Sequence, residues 1–180
     1  MANKNRWKYG DTKPVIAVCN EGQAIEIGDL CYMEGAHPEQ AAATLGDARP
    51  ASGIPWQGSL AETRRYFACR FLGHASQQHR ANHDPADDTE LRFNTAGVHE
   101  YVCSSQQWEI GDLVAPAVDA AGTGLQDQAV CRVTSDDQAI GRVAKREAVA
   151  NTRVYVELVS EVMHGGVDGE TCSGSSSSGE

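Results

Sequence analysis

The sequence predicts a mainly β fold: a compact barrel or sandwich of short strands drawn from two similar units, with one short helix. Three observations predict it. Glu26-Ile27-Gly28-Asp29-Leu30 recurs, letter for letter, as Glu109-Ile110-Gly111-Asp112-Leu113, so the chain carries an internal duplication. Short apolar runs alternate with Gly-, Asp- and Pro-rich turns at regular intervals, the pattern of all-β domains. A single stretch opens with a strong helix signal.

The duplicated unit extends beyond the pentapeptide. Phe71-Leu72-Gly73-His74-Ala75 follows the first copy and Ala139-Ile140-Gly141-Arg142-Val143 the second, each an apolar pair, a glycine and a side chain able to carry positive charge. Glycine reaches positive φ without a Cβ clash, and Asp can bond its own backbone nearby, so Gly28-Asp29 and Gly111-Asp112 are expected to turn the chain tightly into a strand. Gly73 and Gly141 complete the set of structural glycines.

Taken in order, residues 1–13 form an arm, with Lys4, Arg6, Lys8 and Lys13 against Asp11 on an otherwise acidic chain. Trp7 and Tyr9 supply anchoring area, and the arm is expected to lie along an acidic partner surface, adding a strand to it. One β domain then spans 14–164. Val15–Cys19 reads as its first strand and 20–23 as a turn. Residues 35–57, with Pro38, Pro50 and Pro55, read as an exposed insertion, because proline breaks a regular ladder. Ser59-Leu60-Ala61-Glu62 has the capping-box form and predicts a helix over Leu60–Phe67. Cys69–Ala75 returns to strand, and His74 to Glu90 is a polar loop. Strands are expected over Gly97–Cys103, Leu113–Val118, Gln128–Thr134 and Ala139–Ala144, with a hairpin turn at Gly122-Thr123-Gly124. Thr152–Val162 closes the domain by alternation, and 165–180 is a flexible Gly/Ser-rich tail.

With 180 residues, 41% hydrophobic and 22% charged, the chain suits one domain with one core. The net charge of −10 opposes general nucleic-acid or anionic-membrane binding, which draws on Lys and Arg. No stretch approaches the roughly 20 apolar residues of a membrane span, and the first residues lack the apolar centre of a secretory leader. The six cysteines, Cys19, Cys31, Cys69, Cys103, Cys131 and Cys172, are spread without a CxxC pair and are expected to be reduced.

Candidate chemistry is sparse. There is no phosphate-binding glycine loop and no nucleophile signature, so no catalytic residue and no cofactor is assigned. The best metal candidate is His74, His79 and His83 with Asp84, Asp87 and Asp88, whose spacings match no helical ligand pair; the favoured assignment is no metal.

The order of these motifs resembles the capsid decoration (cement) proteins of tailed bacteriophages. The likeness rests on the two Gly-Asp turns, Phe71–Ala75, Thr95-Ala96-Gly97-Val98, Leu125–Val130, Ala139–Val143 and the strand at Val154–Leu158, and covers roughly residues 14–160. It implies a β-barrel or sandwich that binds the outer face of the expanded head and cements neighbouring major capsid subunits. It further implies a homo-trimer or dimer on the virion surface, assembled in the host cytoplasm, without catalytic residues, direct nucleic-acid contact or membrane. The basic arm would then reach a neighbouring capsid subunit. The chain departs from the family in the 35–57 insertion and in His74, where an apolar residue is more usual. Two alternatives stand beside this one: a tail or fibre module, and a small β-barrel metal-binding enzyme using the His74–Asp88 loop.

Overall fold

The computed structural model describes residues 6–19, 22–35, 46–81 and 90–167. Lys4, Pro38, His83, Asp84, Asp87, Asp88, Cys172 and most of the 165–180 tail lie outside the described residues. The first half holds strands β1 (Arg6–Tyr9), β2 (Pro14–Val18), β3 (Leu30–Met33), β4 (Ala48–Pro50), β5 (Phe71–Ala75) and β6 (Glu90–Asn94), with helix α1 (Leu60–Ala68) between β4 and β5. The second half holds β7 (Ala96–Trp108), β8 (Leu113–Val118), β9 (Leu125–Val133), β10 (Gly141–Val143), β11 (Glu147–Val159) and the one-turn helix α2 (Glu161–His164).

The two halves repeat one topology. In the second, the strands pair in the order β7-β11-β10-β8-β9, and a parallel pair at Val102 and Ala129 returns β9 to β7, closing a five-stranded barrel. In the first, the order is β2-β6-β5-β3-β4, the same succession strand for strand. Its two edges touch through one parallel bridge between Cys19 and Ala48. The duplication therefore extends from the pentapeptide to the whole sheet.

Identical hydrogen bonds explain why the same five residues recur. In the first turn the Glu26 N–H donates to Asp29 Oδ2 at 2.7 Å, the Gly28 N–H to the Ala75 carbonyl at 2.7 Å, and the Ala75 N–H to the Asp29 carbonyl at 2.9 Å. In the second, Glu109 donates to Asp112 Oδ2 at 2.8 Å, Gly111 to Val143 at 2.9 Å and Val143 to Asp112 at 2.9 Å. Gly28 and Gly111 stand at φ 96° and 89°, where a Cβ is strained. Gly73 and Gly141 answer a second need: a Cβ there would overlap the carbonyl oxygens of Asn94 and Glu157 on the next strand.

The halves share one seam and the largest of three core clusters; a second cluster lies within the first half and a small third within the second, so the core is not single as the length suggested. β6 runs into β7 through the buried Thr95. β1 and β2 run antiparallel beside them as an outer strap, β1 on β7 and β2 on β6. Thr95 ties strap to seam: its hydroxyl donates to the Lys13 carbonyl at 2.7 Å and its N–H to the Thr12 carbonyl at 3.0 Å. The main core takes Leu30, Tyr32, Phe67 and Phe71 from the first half and Tyr101, Trp108, Leu125 and Ile140 from the second, each fully or almost fully buried. Burial of each such side chain stabilises by about 1.5–3 kcal/mol. Helix α1, capped by Ser59 as its sequence predicts, spans the halves as well. Its Arg64 donates to the Pro116 carbonyl, and Arg65 pairs with Asp137 in the 3-10 turn that occupies the equivalent place in the second half.

Three expectations are corrected. The 35–57 segment is not wholly an exposed insertion: Ala48–Pro50 is a strand paired with β3, and Ala48, Ala51 and Ile54 are buried. Pro50 is tolerated because β4 is the terminal strand in the sheet order, where a missing N–H leaves no gap in an interior ladder. Not all cysteines are reduced, since Cys69 is disulfide-bonded, whereas Cys19, Cys31, Cys103 and Cys131 are free. The closing strand starts earlier and ends earlier than expected, at Glu147 and Val159, because Ser160 caps α2 by accepting from the Met163 N–H.

Candidate functional site

Among the described residues, four of the ten exposed large hydrophobic side chains, Trp7, Tyr9, Ile16 and Val18, lie on the strap formed by β1 and β2. Its geometry starts at Lys13, the one non-glycine residue at positive φ among those described, where the chain passes from the edge of the second half to that of the first. Asp11 Oδ1 accepts the Lys13 N–H at 3.1 Å and holds that bend. Strand alternation then directs Trp7, Tyr9, Ile16 and Val18 outward, all 46–66% exposed.

Of the predicted arm residues, Arg6, Trp7, Lys8 and Tyr9 are thus placed in a strand of this chain's own sheet. Arg6 stands opposite Glu100 and Trp7 opposite His99. Lys8 pairs with Glu100 at 3.0 Å and lies over the Tyr155 ring, and Arg153 meets the same carboxylate at 2.7 Å. These two cations hold the Glu100 carboxyl below its ordinary range against the opposing effect of burial. The arm is therefore docked along residues 6–9, with the aromatic faces left open.

Under the strap, where the halves meet, the His74 and His99 rings pack together at a tilt of 57°, with centroids 3.9 Å apart. Nε2 of His74 bonds Asn94 Nδ2 at 2.9 Å and Nε2 of His99 meets the Ala96 carbonyl at 3.2 Å, while both Nδ1 atoms are buried without partners. Burial, and for His74 also its neighbour His99, lowers both pKa values. His74 occupies the Arg142 position of the repeat, as the sequence suggests, but faces inward.

The proposed metal loop is not assembled by the described residues. His74 lies in β5, whereas His79 bonds the Gln23 carbonyl through Nδ1 at 2.8 Å, and no group of three or more His, Cys, Asp or Glu residues able to hold an ion forms among the described residues. Among the described residues no helix is long and apolar enough to cross a membrane. A cleft of about 460 Å³ opens beside the first Gly-Asp turn, lined by Glu26, Asp29, Asp127 and Gln128. Its carboxylates serve the fold: Asp29 accepts from Glu26 and Gln128, and Asp127 from the Ser52 N–H at 2.6 Å. Burial pushes the Asp29 pKa up to about 6.

Comparison with family models, with curated proteins and with solved structures returns no match. Geometry alone therefore describes the surface. Two features escape sequence reading. Gln128 and Arg132, four residues apart on β9, hold both Gly-Asp turns, Gln128 on Asp29 at 2.8 Å and Arg132 on Asp112 at 2.6 Å. Their even spacing, which puts them on one face of a strand, is the only signal in the sequence. Ile16 reads as part of an apolar strand, and its outward direction follows only once β2 is known to end a sheet.

Proposed function

We propose that the protein is a structural component of a phage head, binding the outer surface of the expanded capsid and cementing neighbouring major capsid subunits, as a homo-trimer or dimer and without direct contact to nucleic acid. One observation carries the reading. Four of the motifs behind the family likeness, the two Gly-Asp turns and the two Gly-centred strands, form one arrangement built twice, each turn bonded to the end of its strand through the same donors and acceptors. Two linked units of one design suit a cement, because contacts made on adjoining subunits become effectively intramolecular and avidity exceeds any single interface. Trp7 and Tyr9, exposed beside Lys8, add amphipathic anchoring area at the strap.

Co-sedimentation with expanded, undecorated capsids tests this, with unexpanded shells as control. Saturable binding to expanded shells alone is the expected result. Binding to neither shell, or to both alike, would overturn the proposal.

A further inference from the structure

Equivalent edges of the two halves are covered unequally. The outer edge of β7 at Val98–Glu100 carries β1. Strand register identifies the matching edge in the first half: His74 lies opposite Asn94 as Arg142 lies opposite Glu157, and Asn94 faces Pro14 as Glu157 faces Val98. Pro14, Val15 and Ile16 thus stand where Val98, His99 and Glu100 stand. Among the described residues no strand covers this edge along Pro14–Val18: β2 is the last strand of its sheet, and only Cys19, just beyond it, bridges to Ala48.

An uncovered edge presents backbone donors and acceptors to any extended chain, and proteins ordinarily protect it with charge. Pro14-Val15-Ile16-Ala17-Val18 contains no charged residue, and Ile16 is 66% exposed. The covered edge shows what kind of strand such a position takes. There Glu100 meets the basic strand containing Lys8; here Ile16 replaces the acid, so the matching strand is apolar and uncharged. β2 itself has that character.

We propose that two copies of this chain associate through this edge, β2 pairing antiparallel with β2 about a two-fold axis near Ile16. Charge supports a second copy as the occupant. The chain carries a net −10, yet this edge is neutral and is flanked by Lys13 and by Arg92, which stands opposite Ile16 on β6. One acid, Glu90 opposite Val18, stands against these two cations, so the edge adds no net repulsion between copies. The contact is isologous, so it closes at two copies and does not propagate. Pro14, lacking an N–H, limits the ladder at one end.

Sedimentation equilibrium on the full chain at micromolar concentration tests the proposal without capsids, so its outcome is separate from that of shell binding. The expected result is a dimer, weakened about tenfold or more by Ile16→Lys, which sets two cations against each other and removes two buried side chains. Val149→Lys, at a still more exposed position on β11, should leave the dimer intact. Ile16→Thr, which keeps β propensity, should fall between, and far-UV circular dichroism checks that each variant folds. A monomeric wild type, or a dimer or trimer indifferent to Ile16→Lys, overturns the proposal. A monomer that loses shell binding on Ile16→Lys also overturns it and assigns the edge to a capsid subunit.

Discussion

Gly73 and Gly141 are each pressed against the carbonyl of the following strand, and neither site has room for a methyl group. Gly73→Ala or Gly141→Ala is expected to destabilise by about 3 kcal/mol or more, since backbone on both sides must shift. Gly111→Ala has open space around its Cβ and keeps only the strain of φ 89°, so about 1–2 kcal/mol is expected in the same denaturant titration. A second residue-scale effect is the pH response of the His74–His99 pair. Both imidazoles are held below the ordinary value near 6.5 by burial, so between that value and their lower folded values only the unfolded chain takes up protons. Stability present above about pH 6.5 is lost as the pH falls. The melting temperature should drop between about pH 7 and pH 5, and less steeply in His99→Gln. Asp29 acts with the opposite sign: its folded pKa is raised to about 6, so protonating it in the folded state restores stability below that pH. Asp29→Asn should therefore steepen the acid loss. An unchanged slope in both variants would refute these assignments. The glycine and aspartate roles were legible in the sequence, because turn chemistry is local and repeated. The histidine pair was not, since it joins β5 to β7 across the seam.

Among the elements, the strap changes meaning between sequence and structure. Charge and aromatics marked residues 1–13 as an arm for a partner, and the four-residue alternation of Arg6–Tyr9 was too short to announce a strand. It becomes one because β7 offers an edge on which Glu100, opposite Arg6 in register, pairs with the Lys8 side chain. Removing residues 1–13 is thus expected to lower the melting temperature by about 4 °C or more, beyond any effect on shell binding. An unchanged melting temperature would show that β1 contributes nothing to the fold. Helix α1 and the hairpin at Asp119–Gly124 were readable from their caps and turn residues. Strand β4 was hidden by Pro50, whose meaning depends on whether the strand ends a sheet, a fact of tertiary structure.

For the whole molecule, the repeated pentapeptide announced two similar units, and the structure gives them one strand order. What closes each unit, a parallel contact at Val102–Ala129 or at Cys19–Ala48, joins residues far apart in sequence and leaves no periodic trace. The manner of their joining bears on mechanics. The two units are bridged by two covalent crossings, one at Lys13–Pro14 and one at Thr95, running in opposite directions and bonded to each other. A tensile load along these strands is shared by two backbones and by a ladder strained in shear, where many bonds must fail together. A load across them would peel the ladder bond by bond. The molecule is accordingly stiff along one axis and weaker along the other, so its resistance to stretching depends on the direction of pull.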